Sequence, residues 1–143
     1  MSKEKACYRK LNKYKYQLVS DYTIHIDIKP EKVAETPFIR LGTDGTLTIR
    51  QHYAWDGPSG PTIDTRTFMR GSLVHDALYQ LMRMSKLDHK IHRESADRLL
   101  RTMCLKDGMA PFRAWYIYHG VRRFGGKSAL PESLQPPSET CLL

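Results

Sequence analysis

The sequence holds no apolar run approaching the roughly 20 residues that a bilayer-spanning helix needs, so it offers no transmembrane segment. Cysteine is scarce: Cys7, Cys104 and Cys141 are an odd, scattered set without C-x-x-C spacing, which argues against a disulfide framework and for reduced thiols. The opening stretch MSKEKACYRKLNKYKY is charged and lacks the apolar h-region of a secretory signal. The chain is therefore expected to stay in the cytoplasm that makes it. No internal repeat and no Lys/Arg-rich run of nuclear-localisation type is present.

What is present suits a folded domain. Hydrophobic residues at 41% and charged residues at 27% are ordinary for a globular chain, and 143 residues suffice for one domain with a buried core. The net charge of +8 makes anionic partners candidates: nucleic acid, phospholipid head groups or an acidic protein. The same charge also reads as a solvated surface that aids solubility. Its basic residues gather at Lys3–Lys15 and Arg113–Lys127.

Hydrophobic periodicity divides the chain. Residues 13–28, KYKYQLVSDYTIHIDI, alternate as half-buried strands do, and FIRLGTDGTLTIRQH (38–52) sets Thr43-Asp44-Gly45 between two alternating runs, the pattern of a hairpin. Pro30 and Pro37 bracket a loop or edge connection. From about residue 66 the period becomes helical. Leu73, Val74, Ala77, Leu78, Leu81 and Met82 mark a helix over 66–84. Asp88 reads as the N-cap of a second helix over 89–106, whose apolar set is Ile91, Ala96, Leu99, Leu100, Met103 and Leu105. Pro111 opens a third helix ended by Gly125-Gly126. The expected fold is α+β: a small N-terminal antiparallel β-sheet, then an antiparallel helix pair and a third helix. Residues 1–127 read as a single domain, with 1–52 β-rich, 53–65 a loop and 66–127 helical; 128–143, with three of the eight prolines, reads as a flexible tail.

Chemistry concentrates around His75. The short turn near residue 86 forces the first two helices antiparallel, and His75 and Asp97 each lie about 11 residues, or roughly 16 Å, from it. They should face each other. A carboxylate so placed fixes the tautomer of an imidazole and stabilises its protonated form, as a general base requires. Asp76 points about 100° around the helix from His75, towards the returning loop. With Gly57, Pro58, Gly60 and Pro61 holding the WDGPSG segment out of helix and sheet, its carbonyls, together with Asp56, Asp64 and Asp76, are candidate oxygen ligands for Ca²⁺.

The run His75-Asp76-Ala77-Leu78-Tyr79 with the segment SADRLL resembles the H-D-x-x-Y helix and facing-Asp helix of the phospholipase A2 pattern, a likeness covering about residues 53–105. The resemblance implies that His75 activates water, that Asp97 orients it with Tyr79 as hydrogen-bond partner, and that Asp76 binds calcium with carbonyls of Trp55, Gly57 and Ser59. A longer likeness, in YAWDGPSGPTIDT, MRGSLVHDALYQLMR and DGMAPFRAWYIYHGVRRFG, is to phage and prophage proteins described only as a domain of unknown function. Together they imply a phage-encoded, calcium-assisted lipid esterase. The alternative is a non-enzymatic virion or assembly protein that keeps the motif as a structural network.

Other patterns read more plainly. His89 and His92 at i, i+3 lack a third ligand at metal-site spacing and read as a solvated helix start, and Cys104 reads as packing. Arg113, Arg122 and Arg123 are candidates for contact with phospholipid or a membrane surface. Phage structural proteins are further candidate partners, and nucleic acid rests on charge alone. The aromatics among those arginines, Trp115, Tyr116 and Tyr118, read by helical spacing as core with the arginines outside.

Overall fold

The strand-forming residues settle into two small antiparallel sheets rather than one. A computed structural model of the chain describes residues 5–10, 16–55 and 65–131. Strands β1 (Tyr8–Lys10), β2 (Tyr16–Leu18) and β7 (Ala54–Trp55) form a three-stranded sheet in the order β1-β2-β7. Strands β3 (Tyr22–His25), β4 (Ala34–Glu35), β5 (Ile39–Leu41) and β6 (Thr46–Ile49) form a four-stranded sheet in the order β3-β6-β5-β4. The alternating run 13–28 is cut between β2 and β3. There Asp21 Oδ1 accepts from the backbone N–H of Gln51 at 2.7 Å, a local bond that competes with the ladder and turns the corner between the sheets.

Alternation decides which face is apolar. Tyr22 and Ile24 on β3 stand opposite Ile49 and Leu47 on β6, which in turn face Ile39 and Leu41 on β5, and all six are buried. The β5–β6 hairpin turns as its sequence requires: Gly45 has φ +91°, and Asp44 accepts from the Thr46 N–H at 3.0 Å. A Cβ at Gly45 would lie 2.1 Å from the Ile26 carbonyl oxygen. Gly45→Ala is therefore expected to cost about 1–3 kcal/mol through strain at positive φ and the clash, read as a lower urea midpoint with an unchanged slope.

Three main helices follow: α1 (Thr65–Arg83), α2 (His89–Lys106) and α3 (Pro111–Phe124), with a short α4 (Gly126–Ala129). The bounds of α2 match the sequence reading, and its Asp88 cap accepts from the Lys90 N–H at 2.9 Å. The six apolar positions read on α1 are all buried, and with the sheet residues they form one core that also takes in Ala96, Met103 and Ala129. Burial on this scale, at about 25 cal/mol per Å² of apolar surface, is what holds sheet and helix pair together. Arg70 on α1 adds a polar clamp, donating Nε and Nη2 to the two Asp107 oxygens at 2.9 Å each and Nη1 to the Tyr22 hydroxyl at 3.2 Å.

Three details correct the sequence reading. Ile91 and Leu105, counted in the apolar set of α2, are exposed, whereas Asp97 is fully buried. Ser128 and Ala129 lie in α4, with Ala129 in the core and the Ser128 carbonyl accepting from Arg83 at 3.0 Å, so packing extends past the residue where a tail was expected to begin. The aromatics of α3 do not build the core: Trp115 and Tyr116 are exposed, and the buried side of the helix is Ala114, flanked by half-buried Ile117 and Val121. Small and aliphatic residues suffice to seat α3 on the second apolar cluster of Leu100, Cys104 and Met109.

Candidate functional site

The α1–α2 pair delivers its polar residues to one point. On α1, His75 and Tyr79 are one turn apart and share a face; on α2, Arg93 and Asp97 do the same. Asp97 Oδ1 lies 2.7 Å from His75 Nε2 and accepts from the Tyr79 hydroxyl at 2.7 Å. Asp97 Oδ2 accepts from Arg122 Nη1 at 2.9 Å, with Arg93 Nε at 3.7 Å. A fully buried carboxylate is costly unless its lone pairs are filled, and here they are filled from three helices.

Arg93 and Arg122 are the residues that sequence reasoning missed as parts of the site. Arg93 sits four residues before Asp97, a spacing visible in the sequence, but its other contacts run across the fold. It donates Nε to the Tyr79 hydroxyl at 3.1 Å and Nη2 to the Val121 and Arg122 carbonyls at 2.7 and 2.8 Å. Arg122, expected at a lipid-facing surface, instead turns inward to Asp97. Nothing local in the sequence signals that contact. Arg113 is half-buried, and Arg123 is exposed with its guanidinium over the Phe124 ring at 5.8 Å. Gly125 also matters: a Cβ there would lie 3.0 Å from the Tyr79 hydroxyl.

These contacts set the protonation states. Burial pushes the Asp97 carboxyl up, but hydrogen bonds from His75, Tyr79 and Arg122 outweigh it and hold Asp97 below the usual carboxylate value. Asp97 is thus ionised and can only accept, so His75 Nε2 must donate. The lone pair of the neutral ring then sits on Nδ1. Burial disfavours the charged imidazole, yet the nearby Asp76 charge, the hydrogen bond to Asp97 and the Asp97 charge raise its pKa above the ordinary 6.5. Burial and the neighbouring Asp97 charge push the Tyr79 phenol well above its usual range, which makes Tyr79 a fixed donor rather than an acid.

His75 and Asp76 line a cleft of about 310 Å³ whose walls include Phe68, Leu100 and Val121, with Arg83 at a polar edge. Asp76 is partly exposed there, its Oδ1 3.9 Å from His75 Nδ1. A larger cavity of about 550 Å³ lies between β3 and α2, but its titratable residues, His25, Asp27, Arg98 and Lys106, are all exposed and none belongs to the Asp97 network. Of these two cavities, the smaller is the one whose walls carry buried, mutually oriented titratable groups.

The expected calcium ligands divide. Asp76 presents one carboxylate, the donor class that a hard cation takes. Trp55 is buried in β7, where its indole N–H donates to Ser72 Oγ at 3.1 Å; Ser72 lines the cleft one turn before His75, so the start of the 53–65 loop is tied beside it. Gly57 and Ser59, with Asp56 and Asp64, lie outside the described residues. Among the described residues no group of three or more His, Cys, Asp or Glu side chains is placed to hold a metal ion. Cys104 is buried beside Gly71 with its thiol pushed up to about 12 by burial, so it packs rather than reacts.

Comparison with known proteins gives one match. Residues 42–121, more than half of the chain and all of the α1–α2 pair, match the model of a family described as "Protein of unknown function (DUF1353)". No curated protein and no solved structure matches the chain.

Proposed function

We propose that this chain, which belongs to the DUF1353 family, is a hydrolase that uses His75 as general base to drive water onto a lipid ester. The observation that carries the reading is the 2.7 Å bond between His75 Nε2 and the buried Asp97, which leaves Nδ1 beside the cleft as the nitrogen that can take a proton. As the oxygen of water attacks the ester carbonyl, Nδ1 accepts its proton; the imidazolium, stabilised by Asp97, then returns a proton to the departing alcohol. Tyr79, Arg93 and Arg122 hold Asp97 ionised and in place throughout. The apolar cleft wall of Phe68, Leu100 and Val121 suits an acyl chain.

The same reading gives Asp76, with carbonyls of Trp55, Gly57 and Ser59, the task of holding Ca²⁺. That ion, when bound, supplies polarisation of the ester carbonyl and stabilisation of the oxyanion. A phage or prophage source follows from the likeness of residues 53–79 to such proteins and is part of the proposal.

One observation favours a second reading, a non-enzymatic virion or assembly protein. His75 is only 7% exposed and Asp97 is saturated by donors, as a purely structural network would be. Fatty-acid release from phospholipid vesicles separates the two. The purified chain is expected to release acid with calcium and much less with a chelator. No release under either condition sinks the hydrolase and leaves the structural network; equal release under both keeps the base and removes the calcium.

A further inference from the structure

The outer face of α3 is apolar where a helix on a globular surface is ordinarily polar. Phe112, Trp115, Tyr116, His119 and Arg123 follow i, i+3, i+4, i+7 and i+11 spacing, which gathers them within about 100° of arc. They are turned away from the core: Phe112 is 74% exposed, Trp115 47% and Tyr116 68%. Phe112, Trp115 and His119 form a row of rings, with centroids 6.5 Å apart for Phe112–Trp115 and 4.4 Å apart for Trp115–His119, and Tyr116 shares their face. Single exposed apolar residues need no explanation, but a contiguous aromatic strip along a helix of 14 residues does.

Charge says what covers it. From Gly108 to Pro131 the sequence has no Asp or Glu, while Arg123 ends the strip, Arg113 follows Phe112, and the exposed Lys127 comes next along the chain in α4. Large amphipathic rings beside cations are the composition that settles at a bilayer surface, with the rings at head-group level and the cations on lipid phosphates. No described helix is long and apolar enough to cross a membrane, so α3 would lie in the surface plane, about 21 Å long at 1.5 Å per residue. A duplex nucleic acid is a poorer fit. Its affinity comes chiefly from many Lys and Arg contacts to phosphate, whereas three of the five positions in this strip are Phe, Trp and Tyr.

We propose that the outer face of α3 docks the protein onto an anionic lipid bilayer through Phe112, Trp115 and Tyr116, with Arg123 and Lys127 on the head groups. The inference stands on α3 alone and does not require His75 to be a catalyst. It replaces the expectation that Arg122 faces lipid, since Arg122 is engaged by Asp97.

The test is co-sedimentation with vesicles of phosphatidylglycerol and phosphatidylcholine, followed by tryptophan emission. Trp55 is already buried, so a blue shift on binding reports Trp115. The wild-type chain is expected to bind the anionic vesicles at least about tenfold more tightly than pure phosphatidylcholine, with a blue shift. Phe112→Ala and Trp115→Ala should each weaken binding about tenfold or more, with circular dichroism unchanged because both side chains project into solvent. His75→Gln, which removes the base but keeps a donor for Asp97, should bind vesicles as the wild type does, which separates this surface from the hydrolytic reading. Binding unchanged by combined substitution of Phe112, Trp115 and Tyr116 overturns the proposal, as does absence of binding to anionic vesicles. Preferential binding of a single-stranded oligonucleotide through the same residues, or their loss abolishing self-association in place of vesicle binding, would equally replace it.

Discussion

Asp97→Asn is expected to destabilise the fold by about 3 kcal/mol, a loss visible as a lower midpoint in urea unfolding. The substitution keeps the shape and removes the charge. Arg93 and Arg122 then face each other's positive charge with no anion between them, and Arg93 is nearly enclosed by the Val121 and Arg122 carbonyls. Breaking a buried pair by deleting one partner costs about 3–5 kcal/mol; the lower end applies because Arg122 keeps 32% of its side chain in water. Removing the Arg122 cation as well, in Asp97→Asn with Arg122→Met, should recover part of the loss. A cost that simply adds in the double variant would mean that the two residues are not coupled. The half-exposed Asp76 offers the contrast: Asp76→Asn should shift stability by no more than about 0.5 kcal/mol.

His75→Gln is expected to lower acyl release by about 10²- to 10⁴-fold while leaving the protein folded. The Gln amide can still donate to Asp97, so the buried carboxylate keeps its donor, but nothing replaces the basic Nδ1. Activity that survives this change would remove His75 from the chemistry. The pH dependence carries a sign that a structural histidine would not produce. Although burial opposes charge on the ring, Asp76 and Asp97 raise the His75 pKa above 6.5, and a base must be neutral, so activity should rise through a midpoint above 6.5. Stability should run the other way. The protonated ring contributes fully below the unfolded value near 6.5 and loses that contribution as pH climbs through the raised folded value. Asp97, held low in the fold, contributes above about 3.8 and loses its contribution as pH falls through its depressed value.

Much of the helical half was legible because each signal was local. A capping Asp88, a terminal Gly108 at φ +101° and an apolar period of 3.6 fix α2 without reference to the rest of the chain. Counting from the turn then placed His75 opposite Asp97. The parts that were not legible depend on contacts between distant segments. The break between β2 and β3 needs Asp21 to reach the backbone at Gln51, 30 residues away. Arg122 reaches Asp97 only because α3 crosses α2, and an Arg beside another Arg in sequence looks like surface. The strip on α3 misled for a different reason: i, i+3, i+4 spacing shows that residues share a face but does not say which way the face points. Ala114, Ile117 and Val121 fill the inner side at the same period, and they, not the aromatics, meet the core.

The most direct measurement is the imidazole ¹⁵N spectrum of His75 as a function of pH in the intact chain. If Asp97 holds Nε2 and Nδ1 is the working base, the neutral ring carries its proton on Nε2 and titrates with a midpoint above 6.5, and Asp97→Asn lowers that midpoint. A neutral ring protonated on Nδ1, or a midpoint at or below 6.5 that Asp97→Asn leaves unmoved, would contradict it.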